Sequence, residues 1–127
     1  MQHTCNFQNF AVGTDIETIN RFDRYANSIE LSKKLGIFTD KELEYCFSHR
    51  LPAKHLAVRF CAKEAVYKAF CSLNIETLPK FNEIEVLNNE KGVPYVSFTN
   101  ETFSQFTCKI SLSHCIDKAI AYVFLCH

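Results

Sequence analysis

The sequence predicts an α+β fold with helices packed on a largely antiparallel sheet. Three observations predict it: the order strand, helices, strands; one long segment of helical periodicity; and short alternating apolar runs in the C-terminal half. With 127 residues, 47% of them apolar and 22% charged, the chain has the size and composition of a single globular domain spanning 1–127.

Phe7 to Asp15 reads as a first strand, with Phe10 and Val12 on its alternating apolar face and Gly13 near its end. A helix is expected from about Glu17 to Lys34, carrying Ile19, Phe22, Ile29 and Leu31 on its apolar side. Thr39 followed by Glu42 matches a capping box and predicts a short helix from Asp40 to about His49. Pro52 suits the first turn of a long helix ending near Leu73. The runs Ile84–Leu87 and Pro94–Phe98, separated by a turn through Asn88–Gly92, predict a hairpin. Cys108–Ser113 alternates, with Ile110 and Leu112 on one face. Ala119–Leu125 is almost wholly apolar, which predicts a central strand covered on both faces.

Charge and cysteine usage narrow the function classes. Fourteen basic and fourteen acidic residues cancel, so there is no global basic field and no nucleic-acid partner is expected. Seven cysteines, an odd number without a CxxC pair, argue against a disulfide framework or zinc ribbon and for a reducing cytoplasm. No segment approaches the roughly 18 apolar residues of a membrane span, so no membrane partner is expected.

The long helix carries the most chemistry. Leu56, Phe60, Tyr67 and Cys71 form one stripe, and Glu64 falls inside it, flanked by Lys63 and Lys68. A carboxylate on a buried face costs several kcal/mol unless a cation or metal compensates it. The alternative is an ordinary Glu64–Lys68 i,i+4 pair worth about 0.3–0.5 kcal/mol. Asp15 poses a similar choice between capping the next helix and ligating a metal. Two carboxylates from separate elements suit magnesium, which takes one or two protein carboxylates and fills its octahedron with water and phosphate. His114 ends an alternating segment and Arg21 and Arg24 lie on a polar face; on periodicity alone each reads equally as solvent-exposed.

Taken together, VGTDIETINRF (Val12–Phe22), RFCAKEAVYKAF (Arg59–Phe70) and ISLSHCIDKAIAYV (Ile110–Val123) resemble the three motif blocks of the holo-acyl-carrier-protein synthase family of phosphopantetheinyl transferases, in order and spacing. The resemblance implies the 4'-phosphopantetheinyl transferase fold. It also implies transfer of the phosphopantetheine arm of coenzyme A to a serine of apo acyl carrier protein, in support of fatty acid biosynthesis. It makes Asp15 and Glu64 the Mg²⁺ ligands, Lys68 the cation near the transferred phosphate, and Arg59 and Lys63 candidate coenzyme A phosphate contacts. His114 becomes the active-site histidine, near the nucleotide or the attacking hydroxyl. Arg21, with Arg24 beside it, becomes a contact for the acidic carrier protein, and a homotrimer with active sites between subunits is implied. Glu64, His114 or a water on the metal could each take the hydroxyl proton.

The segment CSLNIETLPKF lacks the glycines the family often places after the core helix, and Val93 stands where the hairpin often has Lys. The missing glycines leave room for a different reading, a non-catalytic module that binds coenzyme A or a partner. A metal-dependent phosphoesterase acting on a small substrate with the same carboxylates is the third.

Overall fold

The computed structural model describes residues 9–127, so the predicted strand start at Phe7 lies outside the described residues. Strand β1 (Phe10–Thr18) leads into helices α1 (Ile29–Lys34), α2 (Asp40–Phe47) and α3 (Pro52–Cys71). Strands β2 (Ile84–Asn88), β3 (Pro94–Phe98), β4 (Thr107–His114) and β5 (Lys118–Cys126) follow. All pairings are antiparallel: β1-β5-β4 forms one sheet and the β2-β3 hairpin another.

The helix expected over 17–34 is replaced by three pieces. Strand β1 continues to Thr18, 3₁₀ turns cover Ile19–Phe22 and Tyr25–Asn27, and only α1 is α-helical. The apolar spacing of Ile19, Phe22 and Ile29 suits 3₁₀ turns as well as an α-helix, while Ser28 starts α1 by accepting the Glu30 amide. The capping box at α2 forms in full, with Thr39 Oγ1 accepting the Glu42 amide and Glu42 Oε1 accepting that of Thr39.

Helix α3 lies across the inner face of the larger sheet. Ala119, Ala121, Val123 and Leu125 of β5 are fully buried beneath it, together with Cys61, Ala62, Ala65, Val66, Ala69 and Phe70. A second cluster packs Leu56, Ala57 and Phe60 of α3 against Phe22, Phe38, Leu43 and Cys46. Helix and sheet approach closely at Gly13, where an added Cβ would lie 1.9 Å from the Ala65 carbonyl oxygen. Glycine is required at that position by this approach.

The faces of the sheet differ from expectation in two ways. The inward residues of β1 are Ala11 and Gly13, whereas Val12 is exposed on the opposite face. β5 is central in its sheet but covered on one face alone. Ile120, Tyr122 and Phe124 share the outer face with Val12 and Ile16, all of them 41–58% exposed.

Lys63 and Glu42 join α3, α2 and the hairpin from within. Both side chains are fully buried, and Lys63 Nζ lies 2.6 Å from a Glu42 carboxylate oxygen. Lys63 also donates to the Phe81 carbonyl at 2.8 Å and to the Ile84 carbonyl, while Glu42 Oε2 accepts the Val86 amide at 2.8 Å. Burial raises the Glu42 pKa and lowers that of Lys63, and each partner's charge opposes the shift. The ammonium's three protons are committed to these partners, so the expected coenzyme A phosphate contact at Lys63 is replaced by a structural tie.

Candidate active site

Asp15 sits on the inner face of β1, two residues beyond Gly13, which brings it under α3 near Glu64 and Lys68. Lys68 Nζ donates to Asp15 Oδ1 at 3.0 Å and to the Thr14 carbonyl at 3.1 Å. The lysine pairs with Asp15 instead of forming the i,i+4 pair with Glu64, and Asp15 caps no helix. The hydrogen bond to Asp15 is the main reason that the Lys68 pKa is raised.

Glu64, half-buried, is held above the ordinary carboxylate range first by burial and then by the charge of Asp15; Lys68 and Arg21 pull it back. These two acids therefore share one electrostatic environment despite a separation of 49 positions in sequence (64 minus 15).

Glu17 is the residue that sequence reasoning passed over. Because β1 runs to Thr18, Glu17 lies on the same face as Asp15, an i,i+2 relation that a helix start at 17 would have destroyed. Burial raises its pKa most, followed by a hydrogen bond with Asp15 and the Asp15 charge, with Arg21 opposing. An acid–acid contact is a hydrogen bond only when one member is protonated. With both ionised, Asp15 Oδ2 is buried without a donor.

That orphaned oxygen is the test of whether the residues suit a divalent ion, and they do. A buried carboxylate oxygen without a donor, with a second carboxylate of raised pKa nearby, is stabilised by a cation. Asp15 and Glu64 would hold Mg²⁺, a number of protein carboxylates that leaves coordination sites for a phosphate substrate. Among the described residues no group of three or more His, Cys, Asp or Glu side chains is arranged to hold an ion, so Glu17 stands beside the pair.

The remaining candidates lie farther out. Arg21 Nη1 donates to Glu17 Oε2 at 2.7 Å, with its guanidinium carbon 5.4 Å from the Phe60 ring centre, at the rim of the acids. Arg24 is exposed, its guanidinium carbon 6.0 Å from the Tyr25 ring centre. His114 ends β4 on the inner face and is exposed. Ala119 of β5 stands between it and Glu17, which puts their backbones about 10 Å apart at ordinary strand spacing. Arg59 is 3% exposed, its Nη2 donating to Asn88 Oδ1 at 2.7 Å. The structure thus gathers Asp15, Glu64 and Lys68, with Glu17 and Arg21 alongside, and leaves His114 and Arg59 outside that group. A cavity of about 490 Å³ lined by Asn9, Phe10, Ser72–Ile75, Phe106 and His127 lies at the other end of β1 and contains no acid.

A β1-β5-β4 sheet crossed by a helix, with Asp15 on the strand and Glu64 and Lys68 on the helix, gathers two carboxylates and a cation in an arrangement suited to a metal-bound phosphate group. The family model for the 4'-phosphopantetheinyl transferase superfamily matches residues 11–123, and the chain belongs to that family, among its holo-[acyl-carrier-protein] synthases. The holo-[acyl-carrier-protein] synthase of Protochlamydia amoebophila (strain UWE25) is 38% identical over 119 residues, covering 87% of this chain and 93% of its own. A coenzyme A complex of ACPS from Chronobacterium ammoniagenes superposes with a TM-score of 0.75 at 26% identity, over 93% of this chain and 97% of that one. A Bacillus anthracis synthase in complex with CoA (3',5'-ADP) gives 0.71 at 30% identity, over 91% and 94%.

Proposed function

We propose that the chain transfers 4'-phosphopantetheine from coenzyme A to a serine hydroxyl of an apo acyl carrier protein. The serine oxygen bonds to the β-phosphorus as its proton passes to a base, the bond from that phosphorus to the bridging oxygen breaks, and adenosine 3',5'-bisphosphate leaves with the bridging oxygen. The observation that carries this reading is the Asp15–Glu64–Lys68 group with its unpartnered Asp15 oxygen.

Lys68 is anchored on Asp15 Oδ1 and its side chain is half exposed, so its ammonium is available to the oxygens of the transferred phosphate. Mg²⁺, when bound, neutralises pyrophosphate charge and steadies the leaving group. Glu64, whose affinity for a proton is raised, and His114 are the chain's own candidates for taking the serine proton. Arg21, beside Glu17, and the exposed Arg24 are the guanidinium groups offered to an acidic carrier protein. Production of holo carrier protein supports fatty acid biosynthesis in the cytoplasm, and the six described cysteines are all free, as a reducing compartment requires. No helix among the described residues is long and apolar enough to cross a membrane.

The working form is a homotrimer. The exposed apolar row Val12, Ile16, Ile120, Tyr122 and Phe124 is the support, since such a face is covered by association. His114 lies at its edge, sharing a cavity of about 310 Å³ with Ile16 and Ile120, so assembly through this face carries it toward a second copy. Phe124→Asp is expected to give monomers in sedimentation velocity; trimers in that variant would refute the role of the face.

Intact-mass spectrometry tests the activity. An apo carrier protein incubated with the chain, coenzyme A and Mg²⁺ gains one phosphopantetheine, and a chelator prevents the gain. Coenzyme A binding without a mass gain would refute the transferase reading.

A further inference from the structure

Arg59 occupies an unusual position for a cation expected to meet phosphate. It is 3% exposed, makes one side-chain hydrogen bond, to Asn88, and its Nε is buried with no acceptor. Its guanidinium carbon lies 3.9 Å from the centre of the Tyr45 ring. Tyr45 is in turn packed by two imidazoles, with ring centres 4.6 Å away for His49 and 5.6 Å for His55, and the two imidazoles lie 3.9 Å apart at 33°. His49 is fixed from its own helix side, because Nδ1 lies 2.8 Å from the Tyr45 carbonyl and so carries the proton.

We infer that Tyr45, His49 and His55 form an aromatic cover over Arg59, and that a phosphate-bearing nucleotide must displace it to reach the guanidinium. The inference rests on the coenzyme A reading, in which Arg59 is a phosphate contact. A buried guanidinium with an unused N–H is a donor lacking an acceptor, and a cation–π contact is a weaker partner than a phosphate dianion. The groups that act on His55 are His49, Lys54, Arg59 and His114, all basic; burial comes first among the causes that hold its pKa down to about 4. The stack therefore carries a neutral His55, which can pack near a guanidinium without repelling it. Closed, the cover hides the cation; open, it frees Arg59 beside His55, on which Lys54 and His114 also act, so the basic groups there suit an anion.

The cover makes affinity for the nucleotide lower than the exposed arginine would allow, because part of the population is closed. Calorimetric titration with adenosine 3',5'-bisphosphate measures this. His55→Ala, which removes the packing behind Tyr45, is expected to bind about threefold to tenfold tighter than wild type. Tyr45→Leu, which removes the covering ring itself, gives the same tightening should His55→Ala fold poorly. In an Arg59→Ala background neither change alters affinity. Weaker or unchanged binding by both variants would overturn the cover, as would a gain that persists without Arg59. If Arg59→Ala binds as tightly as wild type, the phosphate contact at Arg59 fails and the cover fails with it. If Arg59→Ala weakens binding while the cover variants do not tighten it, the contact stands and the cover alone is refuted.

Discussion

Gly13→Ala perturbs the contact on which the geometry of the site depends. The added methyl would lie 1.9 Å from the Ala65 oxygen, 2.9 Å from its carbonyl carbon and 3.0 Å from the Ala69 nitrogen. Ordinary contact begins near 3.4 Å, so strand and helix must separate by about 1.5 Å (3.4 minus 1.9). Every clashing atom is backbone, so no side-chain rotation relieves the overlap. Overpacking of this kind costs about 1–3 kcal/mol of stability, and a backbone clash belongs at the upper end. Activity falls further. Gly13 precedes Asp15 by two residues on the same face, while Ala65 lies between Glu64 and Lys68, so the forced gap opens the space between Lys68 and Asp15. A displacement of about 1 Å at a reacting centre costs on the order of 100-fold in rate. Transfer to an apo carrier protein, followed by intact mass, gives the rate; urea denaturation gives the stability. Wild-type transfer together with an unchanged denaturation midpoint would refute the reasoning.

Three further outcomes follow from the same structure. Lys63→Met leaves the Glu42 carboxylate buried without its cation and removes the donor to two carbonyls, and is expected to cost about 3–5 kcal/mol in urea denaturation; a loss below about 1 kcal/mol would show that the tie is not structural. Arg21→Ala is expected to raise KM for the carrier protein more than KM for coenzyme A, and rising salt should erase the difference; equal KM values in mutant and wild type would exclude the contact. For His55, the folded pKa of about 4 lies below the ordinary 6.5, so between these values the unfolded chain binds a proton that the native state refuses. Stability contributed by its neutral form is thus full above pH 6.5 and lost as pH falls toward 4, and His55→Phe should flatten that part of the pH–stability curve; an identical slope in mutant and wild type would contradict the assignment.

Much of this fold is legible where a residue's local signal and its tertiary role coincide. Thr39 and Glu42 announce α2, Pro52 starts α3, and the run Pro94–Phe98 after the turn marks β3 at its observed bounds. The first helix misleads because its apolar spacing of three is shared by α and 3₁₀ turns, and the choice is made by a distant bond from the Ile19 amide to the Asp117 carbonyl. Glu42 explains itself locally as a cap, which hides its second role as the partner of Lys63. Lys63 in turn reads as a cation flanking the stripe and as a phosphate contact, because nothing in its neighbourhood along the chain reveals the carbonyls of Phe81 and Ile84. Asp15, Glu64 and Lys68 were legible as residue types from the motif. Their electrostatic coupling, and the presence of Glu17 beside Asp15, depend on where β1 ends and how closely α3 approaches it.

Manganese binding tests the account at its centre, because Mn²⁺ substitutes for Mg²⁺ at carboxylate sites and its electron paramagnetic resonance signal reports binding directly. Wild-type chain with coenzyme A is expected to take up one ion per active site, and Asp15→Asn and Glu64→Gln are each expected to lose it while still melting cooperatively. Undiminished Mn²⁺ uptake by either folded variant would contradict the assignment of a single ion to these two acids.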